Sequence, residues 1–166
     1  MIAVRALVRS ASSVVILLSF AAHADPPLLL GVRGGVSAPS ALELSAGPMV
    51  GADLTVGGWG LWALELGFEH SWHDGPQLSQ ATLGVQYRLD VGRVVPYVTV
   101  AAEGARLDDR GRNASLLFGG AVGLGVFGRF GESWFWGAEA RYGVGTEGFP
   151  SRQTFLTRLG WRLPDS

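Results

Sequence analysis

From Leu28 onward, apolar and polar residues alternate in eight runs: Leu28–Ser37, Pro48–Val56, Leu61–Trp72, Gln77–Asp90, Arg93–Ala105, Ala114–Arg129, Ser133–Gly145 and Gln153–Leu163. A period of two marks a β-strand with two unlike faces. Gly, Pro, Asp, Asn and Ser separate the runs, as turn residues do. A helical period is almost absent. The runs hold about 9–16 residues, long for a globular strand and sufficient for the roughly 9–11 that a tilted strand needs to cross a bilayer.

The connections alternate in length too. Gly57-Gly58, Val91-Gly92 and Phe130-Gly131-Glu132 are tight turns. Ala38–Gly47, His73–Pro76, Arg106–Asn113 and Thr146–Arg152 are longer and more polar. Short turns on one rim and long loops on the other describe an up-and-down transmembrane barrel.

The two faces of each run differ in chemistry. One carries Arg33, Asp53, Glu65, Glu69, Arg88, Asp90, Glu103, Glu139, Arg141, Arg158 and Arg162. Where a run has two charges, both fall in one phase. Near-balanced opposite charges suit a closed interior in which each buried charge has a partner. The other face is apolar. Its rings sort by height, with Trp62, Tyr87, Trp134, Trp136 and Trp161 near the short-turn rim and Trp72, Phe118, Tyr142 and Phe155 near the other. Two aromatic girdles around an aliphatic band are expected where rings sit at both membrane interfaces. Gly119, Gly123 and Gly125 fall on the inward face of the sixth run. They leave room for long Arg and Glu side chains, allow the sheet to curve, or do both.

Composition fits this inverted arrangement. The 166 residues are 48% hydrophobic and 16% charged, with a mean hydropathy of +0.26, high for a soluble domain. Yet no apolar run of about 18 residues follows the N-terminal segment, so a membrane helix is not expected there. The formal net charge of −1 excludes a strongly basic nucleic-acid surface. The absence of Cys excludes disulfides, thiolate metal sites and a cysteine nucleophile. All 13 basic residues are Arg, which we read as codon bias. Residues 1–24 form a secretory signal pattern: Arg5 and Arg9, an apolar Val14–Ala22 stretch, and the small-x-small site Ala22-His23-Ala24. The expected organisation is therefore a signal peptide over 1–24 and a barrel domain over 25–166.

On the leader, the eight strands, the loop alternation and the girdles, the chain resembles small eight-stranded bacterial outer membrane barrels of the outer membrane protein A and outer membrane protein X type. The segment Val95-Pro96-Tyr97-Val98 is similar to a Pro-Tyr-Val stretch common in such barrels. The resemblance spans 28–163. It implies an all-β, eight-stranded antiparallel barrel with a polar, filled interior, located in the outer membrane. The implied partners are outer membrane lipids and the barrel-assembly machinery. Many such barrels end on an aromatic residue; this chain ends Trp161-Arg162-Leu163-Pro164-Asp165-Ser166, with Trp161 as the substitute.

Catalytic and metal chemistry find little support in sequence. Glu69-His70-Ser71 is the local candidate for a lipid-modifying site, but neighbouring strand residues face opposite ways. A nucleophile needs its base within about 3 Å, which no spacing here secures. His70, His73 and Asp74 supply too few ligands for a metal. Asp108-Asp109-Arg110-Gly111-Arg112-Asn113 lacks calcium-loop spacing. The loop residues Leu42, Glu43, Asp108, Arg112 and Phe149 form no binding motif. The expectation is a non-enzymatic, monomeric barrel without cofactor, metal or nucleic acid. It would have a structural or surface-interaction role through its loops and a closed lumen. The alternatives are a small pore or transporter for small or apolar solutes, and a lipid-modifying enzyme.

Overall fold

The computed structural model describes residues 27–40, 45–57, 61–74, 77–89, 92–108, 115–145 and 151–163. The leader, Leu42, Glu43, Asp90, Arg112 and Phe149 lie outside the described residues. Eight strands follow in chain order: β1 (Leu28–Pro39), β2 (Gly47–Val56), β3 (Trp62–Trp72), β4 (Gln77–Arg88), β5 (Val94–Asp108), β6 (Ser115–Phe130), β7 (Trp134–Gly145) and β8 (Arg152–Arg162). Each pairs antiparallel with the next, and β8 returns to β1 from Leu29↔Arg162 to Pro39↔Arg152, which closes the barrel. Closure leaves no unpaired edge, so every strand has a partner on both sides.

At the three short turns Gly57, Gly92 and Gly131 adopt positive φ of 105°, 124° and 70°. Residues with a Cβ rarely adopt this conformation, so these glycines fix where the chain reverses. The strand ends depart from the sequence boundaries by up to three residues. β5 continues through Arg106 to Asp108 because β4 supplies partners as far as Gln77↔Asp108 and Ser79↔Arg106. Arg106, expected in a loop, is therefore a strand residue on the outer face. Likewise Arg152, also expected in a loop, opens β8 and points inward, 2% exposed.

The outer face is a belt of exposed Leu, Val, Phe and Trp, including Val32, Leu66, Val100 and Leu124. The inner face is layered. Leu29, Ala63, Val95, Phe127 and Phe135 form a buried apolar layer at the short-turn end. Charged and amide side chains occupy the middle. Leu78 and Ala105 pack with Leu107 and Leu117 toward the long-connection end. The expected polar, side-chain-filled interior is present, with an apolar layer toward each end.

Candidate functional site: the charged lumen and the outer rim

Glu65 is the hub of the lumen. Its carboxylate faces Arg33 at 2.5 Å, Arg141 at 3.2 Å and Arg158 at 3.3 Å. Gln86 donates a further hydrogen bond to it. Arg33 spans three carboxylates. Its Nε bonds Asp53 at 2.8 Å and its Nη1 bonds Glu69 at 2.8 Å. Arg158 also reaches Asp53 at 3.1 Å, and Arg141 bonds Glu139 at 2.9 Å and Glu69 at 3.4 Å. Tyr97 ties two elements together: it donates to Glu139 at 2.9 Å and accepts from Arg158 at 2.8 Å. Nearer the long-connection end, Arg152 pairs with Glu103 at 2.5 Å, and Gln80 donates to the same carboxylate at 2.9 Å.

Among the described residues the buried charges are Arg33, Arg88, Arg141, Arg152 and Arg158 against Asp53, Glu65, Glu69, Glu103 and Glu139. The two sets are equal in number, so the lumen is neutral. Branched contacts of this kind spread each charge over several partners, which offsets the large cost of removing ions from water. Among the described residues, Arg88 joins without a carboxylate of its own. It donates to Gln86 at 2.7 Å and lies over the Phe127 ring at 4.8 Å, a cation–π geometry. Arg162 was also expected in this network. It is part-exposed in the inward phase of β8 at the short-turn rim, level with Leu29 of the apolar layer.

Small residues make space for these side chains. A Cβ on Gly123 would strike the Glu139 carboxylate, and one on Gly125 would strike the Tyr97 ring. Gly119 differs, because its Cβ would meet the backbone of Val144; there the absent side chain permits close strand approach. A void of about 10 Å³ remains between Ser37, Met49, Glu69, Ser71, Leu78, Gln80 and Thr154. That is at the lower limit for one water molecule.

The girdle residues Trp62, Trp72, Tyr87, Phe118, Trp134, Trp136, Tyr142, Phe155 and Trp161 all lie on the outer face and are exposed. Trp62 contacts Tyr87 with ring centroids 4.7 Å apart, and Trp134 stacks with Phe130 and Trp161 at 6.2 Å each.

His70 and Ser71 face opposite sides of β3, as alternation requires. Each nonetheless finds a partner that sequence spacing does not reveal. On the outer face His70 Nδ1 lies 2.8 Å from Ser79 Oγ on β4. On the inner face His73 Nε2 lies 3.0 Å from Ser71 Oγ, with His73 Nδ1 2.9 Å from the Ser45 carbonyl. Among the described residues no carboxylate bonds either imidazole. His70 and His73 are also on opposite faces, so they cannot share a metal ion.

Comparison with known proteins agrees with the fold. No family description and no curated protein matches the sequence. Among solved structures, Neisserial surface protein A (NspA) is similar at 13% identity and TM-score 0.67, over 84% of this chain and 98% of that one. The N-terminal barrel domain of Pseudomonas aeruginosa OprF is similar at 13% identity and TM-score 0.64, over 81% and 97%. Ail, the attachment invasion locus protein of Yersinia pestis, is similar at 10% identity and TM-score 0.56, over 82% and 97%. The chain thus has the fold of eight-stranded outer membrane β-barrels.

Proposed function

We propose that this protein is a closed outer membrane barrel with a structural or surface-interaction role, and that it forms no open pore. The observation that carries this reading is the filled lumen: a neutral Arg–carboxylate network capped by Leu29, Ala63, Val95, Phe127 and Phe135. An ion entering would have to displace paired charges and then cross an apolar layer, and both steps are costly. Function then rests on the outer rim and the long connections, which face the cell exterior if the short turns lie in the periplasm. The partners in this reading are outer membrane lipids, with the barrel-assembly machinery for insertion. The protein is a monomer and uses no cofactor.

Planar bilayer recording tests the closed lumen. The expected result is the absence of stable large-conductance steps from protein whose gel mobility differs boiled and unboiled. Such steps would transfer support to the pore reading. The His70–Ser79 hydrogen bond is the one observation that favours a lipid-modifying enzyme. An imidazole without an orienting acid is a weak base for that purpose. Purified protein is therefore expected to release no fatty acid from acylated lipid; release abolished by His70→Ala would overturn this.

A further inference from the structure

Among the described residues, Thr157 and Gln153 on β8 are polar on the outer face, and the other polar residues of that face gather near the long-connection rim of β3, β4 and β5. Strand register places His70, Ser79 and Arg106 side by side on β3, β4 and β5. Direct neighbours in such a row have Cβ atoms about 5 Å apart. Ser79 is hydrogen bonded to His70, whose ring meets Trp72 edge-on at 4.6 Å. Arg106 is exposed and has no ion pair among the described residues. Below this row, toward the barrel middle, lie Ala81 and Gly104, then Ala102 and Gly120. Phe68 flanks Ala81 on one side and Phe118 flanks Gly104 on the other; these rings are 57% and 61% exposed. The small residues thus leave a shallow notch in the apolar belt between Phe68 on β3 and Phe118 on β6, whose ring leans to 3.7 Å from where a Gly104 Cβ would sit. Val85, Val100 and Val122 close its lower end.

We infer that this patch is a docking site for a phosphate-bearing acylated lipid of the adjoining leaflet. Arg106 and the His70–Ser79 pair hold the phosphate, and the notch holds an acyl chain. The inference rests on the membrane-spanning reading above. Charge complementarity selects the occupant. A guanidinium at girdle height sits where the headgroups of a bilayer begin, and it offers planar donors suited to phosphate oxygens. The His70–Ser79 pair adds one donor: the Ser79 hydroxyl where Nδ1–H donates to Oγ, or Nε2–H where the hydroxyl donates to Nδ1. Asp108 projects from the same face two residues beyond Arg106. Its carboxylate sets the upper edge of the site and repels any phosphate placed above the Arg106 row.

Native mass spectrometry of the full barrel, refolded in neutral detergent, tests the site. The probes are phosphatidic acid and phosphatidylcholine of equal acyl length. We expect the first phosphatidic acid to bind at least fivefold more tightly than the first phosphatidylcholine. Arg106→Gln should remove that preference. Gly104→Leu, which fills the notch without touching a charge, should weaken both lipids by several fold. Arg129→Gln, at the opposite rim, should leave the preference intact.

Equal affinity for the two lipids would overturn the inference, as would a preference that survives Arg106→Gln. Displacement of the lipid by millimolar inorganic phosphate would reduce the site to an ion site and also overturn it. Loss of an acyl chain's mass in a Ser79-dependent manner would replace docking by hydrolysis. The gel shift is read first on every variant. Protein that migrates alike boiled and unboiled fails the barrel reading itself; a normal shift without lipid preference fails only the docking site.

Discussion

Glu65 receives three guanidiniums and an amide inside the barrel. Removing one member of a buried network leaves its partners charged and unpaired, at a cost of about 3–5 kcal/mol. Glu65→Leu should therefore lower stability by about that amount, read from the urea midpoint of protein folded into lipid vesicles. The Glu103–Arg152 pair permits a cleaner separation. Glu103→Leu alone should be strongly destabilising, whereas Glu103→Leu with Arg152→Met should recover most of the loss, since replacing both ions with apolar groups is often near neutral. Equal destabilisation by the single and double variants would show that the pair is worth little. Gly125→Ala tests space rather than charge. A methyl there overlaps Tyr97, so a loss of about 1–3 kcal/mol is expected. Most of the inward charges were legible because alternation assigns a face to every residue in a strand. Arg152 was not, because its place depends on where β8 begins. Tyr97 was legible as inward-facing, but its role between Arg158 and Glu139 depends on register across β5, β7 and β8.

At the scale of the strand, the apolar belt carries the membrane argument, and charge scanning along the outer face can measure it. Val100 is exposed in the middle of β5, and Leu116 is exposed near the start of β6. Arg at a lipid-facing midplane position costs about 2–4 kcal/mol, falling to about 0–1 near the interface. Val100→Arg should therefore destabilise vesicle-folded protein far more than Leu116→Arg. Similar losses at both positions would place the belt outside a bilayer. The alternation itself was plain in the sequence, and so were the Gly turns at 57, 92 and 131. The inner apolar layer was not. Near the short turns, segments such as Val94-Val95 and Trp134-Phe135-Trp136 are apolar on both faces, so periodicity there has no polar phase to report. The Ser–His contacts escaped for different reasons. His70–Ser79 joins two strands, and its distance is fixed by the β3–β4 register. His73–Ser71 depends on His73 bending back over the lumen mouth beyond the end of β3.

For the whole molecule, the decisive property is that two barriers lie in series along one axis. The charge network fills the middle, and the aromatic layer closes the short-turn end. Conduction requires both to open. Phe127→Ala with Phe135→Ala removes the largest rings of the layer and leaves Glu65, Arg33, Arg141 and Arg158 in place. Each truncation of this kind costs about 3–5 kcal/mol in a packed core, so the double variant should have a lower urea midpoint. Its bilayer recordings should nevertheless stay silent, because the neutral network still blocks the path. Stable conductance from that variant alone would mean that water and ions already pass among the paired charges, and that the aromatic layer is the only gate. The network would then be the lining of a pore sealed at one end. The surface-interaction reading would have to share the molecule with a transport role, and the long connections would become the entrance to that path.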